Sequence, residues 1–295
     1  MPMKAQLKPS LNIRTMRTLL VLLFCLSSAV ASATGIWTSR QAPLGQIALG
    51  RSLGIENDVV SNPSAMTFSE EKFAVGVNYM NWMPKYGPDN IMGMSLAYNT
   101  GRFAVGTNLS YTQMPKFEGE ASSSMGANFS ASYRLLDYLS MGAKFNWSNM
   151  KLSEKKSVNE LSAGVYLSFS KDWINASIGV VDLGPKIEGK YSLPSSAYIS
   201  MGATPIDGIF ALNVNAGVSC YFTGAWVASL GTELSYSKMC FVRIGGQYAN
   251  QNAPTPTYIA SGVGATLYGI SVDFSYVLAS PTIANTVLVG LRYSF

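Results

Sequence analysis

From residue 72 to the last residue, apolar side chains alternate with small or polar ones, and this period-2 pattern constrains the fold more than any other feature. Phe103, Val105, Thr107, Leu109 and Tyr111 alternate with Ala104, Gly106, Asn108 and Ser110. The same rhythm runs through Met125, Ala127, Phe129, Ala131 and Tyr133, then through Leu139, Met141, Ala143, Phe145 and Trp147. It returns in Ile270, Val272, Phe274 and Tyr276 and in Val287, Val289, Leu291, Tyr293 and Phe295. A side-chain period of two belongs to strands. The longest apolar run, Leu19 to Leu26, is far short of the ~18–20 residues that a membrane-spanning helix needs.

Composition now says which strand architecture this is. Hydrophobic residues are 48% of the chain and charged residues 13%, roughly half the charged share usual in a soluble domain. A chain that is apolar overall but nowhere continuously apolar suits strands with one face in lipid and the other in a lumen. The runs give strands near 72–82, 90–99, 102–114, 122–134, 138–150, 158–169, 173–182, 196–203, 208–221, 224–236, 239–249, 257–267, 270–279 and 285–295. The expected fold is therefore all-β: a transmembrane, outer-membrane-type barrel of about 14 antiparallel strands over residues 72–295. A soluble sandwich or propeller also alternates, but strands of ~10–13 residues exceed the globular norm of ~5–6.

Connections support the count. With strand 1 running upward, the lower turns are short (Thr100-Gly101, Leu135 to Asp137, Ser170 to Asp172, Thr204 to Asp207, Ser237-Lys238, Tyr268-Gly269). The upper loops read as longer: Met83 to Asp89, Pro115 to Ala121, Lys151 to Ser157, Leu183 to Ser195 and Asn250 to Pro256. Such asymmetry is usual in bacterial barrels. Tyr79, Tyr111, Trp147, Trp226 and Tyr276 fall at one end as an upper aromatic girdle, and Tyr98, Tyr133, Tyr236, Tyr293 and Phe295 form a lower one.

The N-terminal region follows other rules. Lys4, Lys8, Arg14 and Arg17, the apolar run Leu19 to Leu26 and the small-residue end Ala31-Ser32-Ala33 form an export signal over residues 1–33, with Ala31 as the alternative cleavage point. Removing it takes the net charge from +5 to +1, since 21 basic residues become 17 against 16 acidic ones. The apparent basicity therefore gives no reason to expect nucleic acid. Residues 34–71 do not alternate, and Asn62-Pro63-Ser64 marks a turn, so this stretch is expected to be a plug tucked into or under the lumen, or a mobile leader.

The chain contains no histidine, which removes His-based triads, proton relays and metal sites together. No cysteine pair has zinc spacing and no Gly-rich loop precedes a helix, so the sequence offers neither catalytic nor metal-binding residues and no cofactor motif. Cys220 and Cys240 fall near opposite ends of strands separated by a third strand, too far for the ~7 Å Cα limit of a disulfide, and are expected as free thiols facing lipid. The main polar constellation is luminal. Glu233, Arg243, Asp273 and Arg292 all have inward parity, on strands 10, 11, 13 and 14 of the count. Mixed charges in a low-dielectric wall favour pairing. They form either a structural salt-bridge network or a ring that contacts a ligand or ion, and Arg134 and Lys144 are possible additions on the opposite wall.

Several segments resemble the PorV/PorQ family of outer-membrane proteins. Ala48-Leu49-Gly50 with Glu56-Asn57-Asp58 and Asn62-Pro63-Ser64-Ala65 is similar to that family's N-terminal "MGG…D…NPA", with Ser64 in place of the usual Ala. Val181-Asp182-Leu183-Gly184-Pro185-Lys186-Ile187 resembles its "NLGPKI", and Leu230-Gly231-Thr232-Glu233-Leu234 with Val242-Arg243-Ile244-Gly245 resembles its "GxEY…LRaGY". The resemblance spans about residues 45 to 295. It implies a FadL-like 14-stranded barrel in the outer membrane that aids type IX secretion or surface attachment, with secreted protein cargo or secretion components as partners. The alternative is a FadL-type channel for a small hydrophobic ligand.

Overall fold

The computed structural model describes residues 62–82, 89–117, 120–153, 156–186, 192–254 and 256–295. The expected signal 1–33 and most of the 34–71 stretch lie outside the described residues. Fourteen strands follow a short 3₁₀ helix, Pro63–Phe68. They are β1 (Phe73–Trp82), β2 (Asp89–Asn99), β3 (Phe103–Phe117), β4 (Glu120–Leu136), β5 (Leu139–Ser153), β6 (Lys156–Lys171) and β7 (Ile174–Leu183). The second half comprises β8 (Ser196–Ile206), β9 (Phe210–Tyr221), β10 (Trp226–Tyr236), β11 (Cys240–Ala249), β12 (Tyr258–Leu267), β13 (Ile270–Ala279) and β14 (Val287–Ser294).

Every strand pairs antiparallel with its sequence neighbours, and β1 pairs with β14, Ala74 opposite Ser294 and Asn81 opposite Val287. The barrel is closed, so no edge strand is left with unpaired backbone groups in the apolar zone. The first residues of β1 and the last of β14 share the lower end, where Lys72 N donates to Phe295 O.

The pleat sorts the side chains as the alternation requires. Val77, Leu109, Phe129, Val165, Leu230, Val242 and Leu291 stand exposed on the outer face, whereas Ser95, Asn108, Asn128, Ser132, Ser140 and Ser162 are buried inside. An exposed wall of large apolar groups is stable only against lipid. Both aromatic girdles face outward. Cys220 and Cys240 are free and exposed on the same outer face, in β9 and β11.

Several connections are shorter than in the sequence reading. Pro115 to Ala121 and Lys151 to Ser157 are not long upper loops: β3 reaches Phe117, β4 starts at Glu120, β5 reaches Ser153 and β6 starts at Lys156. These strand ends continue the hydrogen-bonded ladder while their side chains turn polar, so they lack the apolar alternation that marks a lipid-facing strand. Likewise Thr204 to Ile206 belongs to β8, and the lower turn lies after it.

Candidate functional site in the barrel lumen

The lumen has three distinct zones, each built by inward residues of neighbouring strands. The first is a polar chain low on the wall of β8 to β13. Arg243, on β11, is 1% exposed, and Glu233, on β10 directly opposite it in the register, is 2% exposed. Arg243 Nε donates to Glu233 Oε2 at 2.5 Å and Nη1 to Asp273 Oδ1 at 2.8 Å. Asp273 lies on β13, so the guanidinium reaches across β12, whose inward residues there are Gly262 and Gly264. A side chain at 264 would collide with the Asp273 carboxylate. Asn213 Nδ2 approaches the second Glu233 oxygen at 3.4 Å, and Thr204 Oγ1 donates to Asn213 Oδ1 at 2.7 Å. The result is a continuous hydrogen-bonded girdle along one wall, with the buried cation held by two carboxylates.

Arg292 reaches the segment that precedes β1. Its Nη1 donates to Glu71 Oε2 at 3.0 Å and its Nη2 to Ser271 Oγ at 3.3 Å. The other Glu71 oxygen accepts from Ser294 Oγ at 2.9 Å. Two successive inward residues of β14 thus hold one carboxylate that precedes β1. The inward parity of Arg292 was legible in the sequence, but its partner was not.

The second zone is the segment 62–71, docked inside the lower end against β3 to β6. Pro63 sets the start of its 3₁₀ turn, consistent with its fixed φ. Ser64 Oγ and Ser168 Oγ share a hydrogen bond of 2.6 Å, and Asn62 Nδ2 donates to Ser168 Oγ at 2.9 Å. Thr67 Oγ1 donates to Ser140 Oγ at 2.9 Å, Arg134 Nη2 donates to Thr67 O, and the Arg134 guanidinium lies 5.1 Å from the Phe68 ring centre. Asn99 Nδ2 donates to Ser69 O at 3.0 Å. Gly142 makes the docking possible, because a Cβ there would come within 2.6 Å of Ser64 N. Of the apolar residues, Met66 enters a small cluster with Ala74, Ala97 and Ala104. Polar contacts and the buried Pro63 and Met66 together attach the segment. Lys144, the other cation on this wall, lies over the Tyr166 ring at 5.7 Å, and Tyr166 in turn faces Tyr198.

The third zone is apolar and lies at the upper end, over β1, β2 and β12 to β14. Met80, Trp82, Ile91, Tyr258, Ala260, Val277 and Leu288 form one buried cluster. The β13–β14 connection folds inward and adds Ile283, which is 0% exposed. Ser280 Oγ donates to Thr257 O at 2.8 Å and Asn285 N to Val277 O at 3.0 Å, which fixes that inward course. Nothing in the sequence marked Ile283, since it sits in a connection with no periodic pattern.

No protein-family model matches the sequence, and no curated protein matches it. Solved structures do. The chain is similar to the Ralstonia pickettii toluene transporter TbuX, with a TM-score of 0.59 at 11% identity over 86% of this chain and 98% of that one. It is also similar to a mutant of the monoaromatic hydrocarbon channel TodX, with a TM-score of 0.56 at 10% identity over 81% and 94%. A Pseudomonas aeruginosa FadL homologue gives 0.52 at 13% identity over 90% and 97%. At these identities the likeness is one of fold: a FadL-like, 14-stranded antiparallel barrel.

Proposed function

We propose that this protein is a non-enzymatic outer-membrane channel that admits small hydrophobic molecules, and that residues 1–33 direct its export. One observation carries the reading: the upper lumen has an apolar zone over β1, β2 and β12 to β14, whereas the lower lumen is polar and occupied. A nonpolar solute must part the buried cluster of Trp82, Ile91 and Leu288, and it gains roughly 25 cal/mol per Å² of apolar surface removed from water there. It then meets a segment held by hydrogen bonds, which water can replace at small net cost. The barrels it resembles in fold include a toluene transporter and a monoaromatic hydrocarbon channel, which agrees with this chemistry.

Uptake of N-phenyl-1-naphthylamine, a fluorescent apolar probe, tests the reading in a Gram-negative host with an intact outer membrane. Expression is expected to speed entry several-fold over cells carrying an empty vector. Equal rates would remove the proposal.

A second reading, secretion or surface attachment of protein cargo, rests on the ordered motifs shared with the PorV/PorQ family, Asn62-Pro63-Ser64 and Val181 to Ile187 among them. It predicts that deleting 183–195 abolishes co-purification of surface proteins while probe uptake is unchanged.

A further inference from the structure

We infer that the barrel holds a second, aqueous route along the inner faces of β7 to β9, which passes small uncharged hydrophilic solutes. Passage of hydrophobic molecules is not a premise, since other residues line this route. On β7 no inward residue from Asn175 to Val181 is buried, and on β9 none from Asn213 to Tyr221 is. Each of the other strands buries at least two of its inward residues, among them Asn128, Ser130 and Ser132 of β4 and Glu160, Ser162 and Ser168 of β6. The pleat turns the β7 and β9 faces into the lumen, yet they stay accessible along nearly the whole strand. A polar inner wall accessible over that height is the lining of a channel.

Hydroxyls and amides make up the middle of this stripe. Ser177 Oγ and Ser200 Oγ share a hydrogen bond of 2.7 Å across the β7–β8 pair, and Gly202 lets the amides of Asn175 and Asn215 meet over β8. Gly217 stands between Ser200 and Ser229 in the register. No charged side chain lies on the stripe from Asn175 to Ser219, and Glu233, beside Asn213, is buried and held by Arg243. Serine and asparagine both donate and accept, so a hydroxylated solute can exchange its water for wall groups with little loss. An ion finds no opposite charge there to replace its hydration.

The other luminal features lie elsewhere on the circumference. The segment 62–71 hydrogen-bonds with Asn99, Arg134, Ser140 and Ser168 and, through Glu71, with Arg292 and Ser294, on β2, β4, β5, β6 and β14. The apolar zone covers β1, β2 and β12 to β14. None of these partners is on β7 to β9, so the route runs beside the segment at the lower end and apart from the apolar zone at the upper one.

Liposome swelling tests this. The full-length chain is reconstituted in phosphatidylcholine–phosphatidylglycerol liposomes filled with dextran and diluted into isosmotic L-arabinose. Falling turbidity reports arabinose entry, which is expected to be several-fold faster than into protein-free liposomes. Gly217→Trp places a ring on the stripe, and a Cβ there meets its nearest neighbours at 3.4 Å, so the ladder can hold. The variant is expected to slow arabinose entry several-fold while uptake of N-phenyl-1-naphthylamine by cells stays at the parent level. If it loses heat-modifiable migration on gels, Ser219→Trp replaces it. Arabinose entry no faster than into protein-free liposomes would overturn the inference, as would equal entry through the parent and the tryptophan variant. Loss of probe uptake together with arabinose entry would overturn it too, because the two solutes would then share one path. Failure of the hydrophobic-channel reading shows separately, as a parent without probe uptake whose arabinose entry is still blocked at 217.

Discussion

Arg243 Nη1 donates to Asp273 Oδ1 at 2.8 Å although an entire strand, β12, lies between the two residues. Gly262 and Gly264 leave the floor beneath the guanidinium bare, so a side chain from β11 meets one from β13. The bridge and the glycines form one unit, and several predictions concern its parts.

Arg243→Met is expected to destabilise the barrel by about 3–5 kcal/mol, because it leaves the buried Glu233 and Asp273 side chains without the cation that both contact. The triple change Glu233→Gln, Arg243→Met, Asp273→Asn is expected to recover most of that loss, since the uncompensated charge is gone. Urea unfolding in bilayers measures both. A single change as mild as the triple one would mean that the buried pair contributes little.

Gly264→Val places a branched side chain where the Asp273 carboxylate now sits. The bridge must break or the wall must shift, at a cost of roughly 1–3 kcal/mol, the usual range for overpacking. Its effect should shrink in an Asp273→Ala background, because the colliding group is then absent. Full additivity in this double-mutant cycle would count against the contact.

Glu71→Ala removes the carboxylate that Arg292 and Ser294 hold, and Gly142→Val pushes against the backbone at Ser64. Both act on the segment 62–71 and not on the strand ladder. Each is expected to raise single-channel ion conductance in planar bilayers while leaving heat-modifiable gel migration intact. Conductance equal to that of the parent protein in both variants would show that this segment does not limit the pore.

Leu288→Asn puts an amide into the upper apolar zone beside Met80 and Val277. Uptake of N-phenyl-1-naphthylamine is expected to slow several-fold, whereas conductance to small ions should stay near that of the parent. Unchanged probe uptake would separate the apolar cluster from transport and leave it as packing alone.

Strand number, order and facing were legible in the sequence because they are local properties. A period of two assigns each residue of a strand to one wall or the other, and turn residues mark where the chain reverses. Glu233, Arg243, Asp273 and Arg292 could be placed on the inner wall in this way. So could the outward thiols of Cys220 and Cys240. The upper tips of β3 to β6 were not legible, since the apolar alternation fades there while backbone pairing continues.

Partnership was decided only by the closed barrel. Its register brings Glu71 to Arg292, 221 positions away, and Ser64 to Ser168, 104 positions away. It also carries Arg243 over a glycine floor to Asp273 and folds Ile283 into the upper lumen. A side chain's wall follows from its neighbours in sequence, but its partner depends on which distant strands closure sets beside it. The sequence therefore determined a barrel with charges inside, and the tertiary structure decided which charges clamp the wall and which hold the segment that fills its lower end.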